Sequence, residues 1–140
     1  MKLRTLSMTV LALTMTLPQL SQATDGIHEG MWELTSEMVI PGVPMKIPPT
    51  VVKHCYDKQE AQDSTKIISR NKDCTVTDLK TSGNRVKWKM KCGGKNPGSF
   101  SGETLFAGDS YTSSMKMHGE GKEKVEMTIK IKGKRLGTCP

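Results

Sequence analysis

From Gly30 onward, apolar and polar residues alternate almost one for one. A period of two belongs to a β-strand with one face buried and the other in water. In the first run Trp32, Leu34, Ser36, Met38 and Ile40 share one face, and Glu33, Thr35 and Glu37 share the other. Pro41-Gly42-Val43-Pro44 stops that run, because proline cannot donate to a strand ladder. Residues 50–56 read as a second strand. Residues 74–81 and 85–92 read as a hairpin turning at Ser82-Gly83-Asn84. Residues 99–106 and 111–118 follow, with a turn at Gly119-Glu120-Gly121. The last strand carries Val125, Met127, Ile129 and Ile131 on one face.

About seven strands joined mostly by short turns predict an all-β domain in which neighbours pair in order. The expected architecture is a single curled antiparallel meander sheet, a half-open or closed barrel, with a β-sandwich as the alternative. One short helix is expected after Asp57, since Glu60 stands where a capping box places its acid. Residues 66–73 read as loop.

The chain opens differently. Lys2 and Arg4 precede an uncharged apolar run over residues 6–17, and Ser21-Gln22-Ala23 places small residues where a signal peptidase reads them. This pattern predicts a signal peptide over residues 1–23 and one β-domain over residues 24–140. The run is too short for a transmembrane helix, which needs about 20 apolar residues, and no later segment is long enough. No cysteine stands near the cleavage point, so lipid attachment there is not expected. Loss of Lys2 and Arg4 would leave 19 basic against 14 acidic residues, a net charge of +5. Such a charge suits anionic lipid headgroups, lipopolysaccharide phosphates and acidic polymers.

Cys55, Cys74, Cys92 and Cys139 form no closely spaced pair, and an even count in a small exported domain reads as a disulfide framework. With a three-residue turn, Thr81 faces Arg85, and continuing that register puts Cys74 opposite Cys92. Facing Cβ atoms lie about 4.5–5.5 Å apart, near disulfide distance. Cys55 is then left to Cys139.

Several short pieces occur in a telling order. They are Gly30-Met31-Trp32-Glu33, Pro41-Gly42-Val43-Pro44-Met45, Pro48-Pro49, Cys55 and Cys74-Thr75-Val76. Trp88-Lys89-Met90-Lys91-Cys92, Gly108-Asp109-Ser110-Tyr111 and Gly133-Lys134-Arg135-Leu136-Gly137-Thr138-Cys139 continue the series. Together they resemble the bacterial family catalogued as domain of unknown function 3617, over nearly all of the chain after the leader. The resemblance implies an exported protein of Gram-negative bacteria, hence a periplasmic one, with no assigned activity.

Three chemistries have candidates. Arg85, Lys87, Lys89 and Lys91 share one face of a strand, opposite Val86, Trp88, Met90 and Cys92. Same-face neighbours stand about 6.5–7 Å apart, so the four cations repel unless an anion lies across them. Nucleic acid is not the expected partner, because the chain is exported and no stacking aromatics interleave the cations. The plain reading is a solvated face that discourages edge pairing. A second candidate is an apolar ligand held on the inner face by Trp32, Trp88 and Met90.

The third is a soft metal such as Cu(I), through Met115, Met117 and His118. Seven methionines follow the leader: Met31, Met38, Met45, Met90, Met115, Met117 and Met127. Core packing is the plainer use of them. No catalytic constellation emerges. In Gly98-Ser99-Phe100-Ser101-Gly102 the central residue is Phe100, not the serine a nucleophile elbow requires. A disulfide would consume the thiol beside His54. The sequence therefore points to a non-catalytic binder needing no cofactor, with an enzyme of unknown chemistry as the remaining alternative.

Overall fold

A computed structural model of the chain describes residues 26–95, 97–119 and 126–140. The expected signal peptide, Glu120, Gly121 and Val125 lie outside the described residues. The chain forms β1 (Gly30–Val39), β2 (Thr50–Tyr56), α1 (Lys58–Gln62), α2 (Ser64–Ile68), β3 (Cys74–Ser82), β4 (Arg85–Cys92), β5 (Gly98–Phe106), β6 (Ser110–Gly119) and β7 (Glu126–Gly137).

Among the described residues, seven strands form one antiparallel sheet in the order β2-β1-β7-β6-β5-β4-β3. Strands β3 to β7 run as a meander, and the β1–β2 hairpin joins it through β1 against β7. The sheet does not close, since β2 and β3 are its two free edges. It is therefore an open sheet, neither a closed barrel nor a two-sheet sandwich.

Because consecutive strands β2 and β3 lie at opposite edges, residues 57–73 must travel from one edge to the other. They do so over the inner face. Asp57 caps α1: its Oδ1 accepts from the Glu60 amide at 2.8 Å, and Glu60 Oε2 accepts from the Asp57 amide at 3.3 Å. Residues 66–73 are not all loop, and the sheet carries two short helices instead of one. Asp63-Ser64-Thr65 starts a second helix, with Asp63 Oδ1 accepting from the Thr65 amide at 2.9 Å. The Thr65 hydroxyl also donates to that carboxylate and holds it below the usual Asp range. Ala61 and Ile67 bury themselves in the core from these two helices.

The inner face is apolar and full. Trp32, Tyr56, Phe106 and Tyr111 cluster, with Trp32–Tyr111 ring centroids 5.6 Å apart and Trp32–Tyr56 centroids 6.1 Å apart. Two glycines make room for the rings. A Cβ on Gly102 would stand 2.6 Å from the Trp88 ring, and one on Gly133 would overlap the Tyr111 ring. The Trp88 indole donates to Thr104 Oγ1 at 3.1 Å, and Thr104 shares a 2.9 Å hydrogen bond with Ser113, so the polar groups buried here are paired.

The β3–β4 register differs from the simple count. The turn has two residues, Gly83-Asn84, with Ser82 opposite Arg85. A bulge between Val76 and Asp78 then absorbs one residue, so Val76 meets Met90 and Cys74 meets Cys92. The bulge also returns Val76 and Leu79 to the Trp88 side of the sheet. Disulfides join Cys74 to Cys92 and Cys55 to Cys139, with Cα atoms 4.0 and 5.7 Å apart. The second spans the start of β1, where Met31 lies between Cys55 and Gly137.

Loop-closure entropy ranks the two bridges, since they span 84 and 18 residues. Replacing Cys55 and Cys139 by Ser should cost about 4–5 kcal/mol, and replacing Cys74 and Cys92 about 3 kcal/mol. Urea denaturation of the two double variants checks the order.

Candidate binding surfaces

The sheet separates its chemistry by face. On β4, Val86, Trp88 and Met90 are buried while Arg85, Lys87, Lys89 and Lys91 are exposed on the outer face. The cross-strand register extends this basic face well beyond one strand. Lys87 faces Lys80 of β3 on one side and Glu103 of β5 on the other. Lys89 faces Ser101, which faces Lys116 of β6. Farther across, Lys130 and Lys132 of β7 face Ser114 and Thr112.

Lys80, Lys87, Lys89 and Lys116 line a depression of about 580 Å³, and the small Ser101 and Ser114 leave its floor low. Asp78 and Glu103 also line it. Glu103 is engaged by Arg85 at 2.7 Å, and among the described residues that is the one ion pair within 4.0 Å on the outer face. Reading strand by strand reveals the row on β4. It does not reveal Lys80 and Lys116, which only the register brings beside that row.

Among the described residues, the centre of the inner face is packed. Trp32 is 0 % exposed, Trp88 2 % and Met90 7 %. These three residues belong to the hydrophobic core, which Ala61 of α1 and Ile67 of α2 share. The residual cavity, lined among others by Leu34, Ile67, Tyr111 and Met115, measures about 60 Å³. That admits a few waters, whereas ligand sites usually run to about 300 Å³ or more. An apolar ligand in that cavity would have to displace α2, whose Ile67 and Ile68 line it.

In the core, the Tyr56 and Tyr111 hydroxyls share a 3.2 Å hydrogen bond. Burial raises both phenols above their ordinary 10.0.

The soft-metal candidates do not converge. Met115 and Met117 lie on the inner side, with Met115 opposite Ile129 and Met117 opposite Phe100. His118 lies on the other side, opposite Ser99 and Glu126. Strand alternation forbids all three from meeting at one point. Among the described residues no three His, Cys, Asp or Glu side chains group to hold a metal ion. Core packing accounts for Met90 and Met115, but Met45 is 76 % exposed and lies outside the core.

A second depression, of about 690 Å³, lies at the open seam between the two sheet edges. His54 of β2, Lys66 of α2, Arg70, Lys72 and Val76 of β3 are among its walls. His54 Nε2 is buried there without a hydrogen bond, 3.6 Å from Glu60 Oε2. Nothing in the local sequence marks this seam, because it exists only where β2 and β3 fail to pair.

An open antiparallel sheet, filled on one face by two capped helices and stapled by two disulfides, is the class of domain these features define. The chain belongs to the family described as "Protein of unknown function (DUF3617)", whose model matches residues 27–139. No curated protein and no solved structure matches the chain.

The buried phenols give a pH prediction. Unfolded Tyr titrates near 10 and the folded phenols titrate higher, so above that pH the native state holds more protons than the unfolded one. Their contribution is therefore fully present below pH 10 and is lost as pH rises. Stability should fall by up to about 1.4 kcal/mol per pH unit for each Tyr. Urea midpoints measured on both sides of pH 10 should show this slope, and Tyr56→Phe with Tyr111→Phe should flatten it.

Proposed function

We propose that this protein is a non-catalytic periplasmic binder of phosphate-bearing envelope surfaces, above all anionic lipid headgroups, acting through the outer face of its sheet. The supporting observation is the lysine-lined depression. Four cations from three strands, Lys80 on β3, Lys87 and Lys89 on β4 and Lys116 on β6, surround two serines and outnumber the two acids there, Asp78 opposite Lys89 and Glu103, which Arg85 already engages. Like charges held this close raise one another's energy, and an anion laid across them relieves the repulsion. Ammonium groups on flexible stems suit phosphate as point charges, and the serine hydroxyls add donors.

The reading also needs export, which the basic n-region, the apolar run and Ser21-Gln22-Ala23 support. The framework of two disulfides agrees with an oxidising compartment. The absence of a recognisable catalytic arrangement in the sequence favours binding over turnover.

Vesicle co-sedimentation across a salt series tests the proposal. Binding to phosphatidylglycerol vesicles should weaken steeply between low salt and about 0.5 M, since exposed charges are then screened within a few ångströms. Lys87→Glu with Lys89→Glu should weaken it at least about thirtyfold, at about 1 kcal/mol per basic residue near the surface. The melting temperature should barely change, because both side chains are exposed. Equal binding to phosphatidylcholine vesicles would refute the reading.

A further inference from the structure

Between Glu37 and Lys53 the chain carries one charge, Lys46, in an otherwise uncharged stretch rich in large apolar residues and proline. This segment is the projecting end of the β1–β2 hairpin, and residues 41–49 are all exposed. Met38, Val39, Val43, Met45, Ile47, Val51 and Val52 make up seven of the nine large apolar side chains exposed among the described residues. Isolated exposed apolar residues need no explanation, but a concentration of them marks a surface that meets something apolar. Among the described residues nothing covers them, and the inner face is already occupied by α1 and α2.

We infer that this hairpin tip is a wedge that enters the headgroup–acyl boundary of an anionic lipid leaflet. The inference rests on the lipid-binding reading above and assigns it a second, apolar contact. Three observations favour lipid as the occupant.

The first is the backbone. Pro41, Pro44, Pro48 and Pro49 have no N–H to strip of water. The Val43 amide is already spent on the Ile40 carbonyl at 3.3 Å, in a turn with Pro41 at its second position and Gly42 at its third, where φ is +80°. A segment with so few free donors loses less on leaving water than an ordinary loop.

The second is Lys46. Its long stem can lie along the apolar surface while the ammonium stays among headgroup phosphates.

The third is continuity with the basic face. Val39 and Val51 belong to the outer side of β1 and β2, with Val51 opposite Thr35. Val39 is opposite Thr128, and the same cross-strand row continues through Lys116, Ser101 and Lys89. A leaflet touching the tip would therefore meet the lysines as well. A second copy of this chain seated on the tip would bring two basic faces together, which charge repulsion opposes. Insertion to the headgroup–acyl boundary, about 5–10 Å deep, matches what a short apolar tip achieves.

The test uses the full mature chain with Met45→Trp as a reporter on phosphatidylglycerol vesicles, with and without shallowly brominated acyl chains. The native indoles of Trp32 and Trp88 are buried and give a constant background. The reporter emission should shift to the blue on vesicle addition and be quenched by the brominated chains. Separately, Val43→Ser, Met45→Ser and Ile47→Ser together should weaken vesicle binding at least about tenfold with every charge retained. The far-ultraviolet circular dichroism of that variant should be unchanged, since all three side chains are exposed.

Salt-sensitive binding with a reporter that stays in water, and no loss in the triple variant, would overturn the wedge and leave the outer-face reading intact. A blue shift that grows with protein concentration in the absence of vesicles would assign the tip to a second copy and overturn it likewise. No binding to anionic vesicles by the wild-type chain would overturn both readings.

Discussion

Nine residue pairs between β1 and β7, from Met31–Gly137 to Val39–Thr128, hold this molecule in its arrangement. They join residues about a hundred positions apart, and the rest of the architecture depends on them. With β1 beside β7, β2 is driven to one edge of the sheet and β3 remains at the other. The connection between them must then cross a whole face. It does so as two helices, each of five residues and each started by an Asp cap, because a crossing segment buried on the sheet needs its own backbone hydrogen bonds. The crossing fills the inner face, and the edges it spans are left as an open seam.

The same pairing decides which surfaces remain for binding. One face is spent on the core: Trp88 packs over Gly102, Tyr111 over Gly133, and the Trp88–Thr104–Ser113 hydrogen bonds satisfy the polar atoms trapped among them. The outer face remains, with its lysines gathered by register from β3, β4, β6 and β7. The hairpin tip remains as well, carried past the Val39–Thr128 pair where β7 no longer accompanies β1. Charge and apolar area thus adjoin on one side of the molecule. In the proposed reading, that combination is complementary to an anionic bilayer surface.

The local parts of this fold were legible wherever the signal was local. The Asp57–Glu60 capping box stands as the spacing predicts, and alternation separates Lys87 and Lys89 from Trp88 and Met90. The register of β3 against β4 is more instructive. Counting through a three-residue turn puts Cys74 opposite Cys92, and so does the actual path, but by a different route. A two-residue turn shifts the register by one and the bulge near Thr77 shifts it back. The apolar pair Val76 and Leu79, three apart in an alternating strand, is the trace of that bulge. The second helix left a trace too, in Asp63-Ser64-Thr65 followed by Ile67 and Ile68. Read only as a helix breaker, that triplet conceals its role as a cap.

By itself the sequence determined the all-β class, the two-faced strands, the basic row on β4 and the framework of four cysteines. These follow from short-range periodicity and residue chemistry, which act within a few positions of the chain. Tertiary structure alone decided that the sheet stays open and that two helices pack on its inner face. It alone brought Lys80 and Lys116 to the row of Lys87 and Lys89, and left Val43, Met45 and Ile47 without a core to enter. Those outcomes depend on which distant strands pair, and the free energy of such pairing resides in contacts between segments that no local pattern encodes.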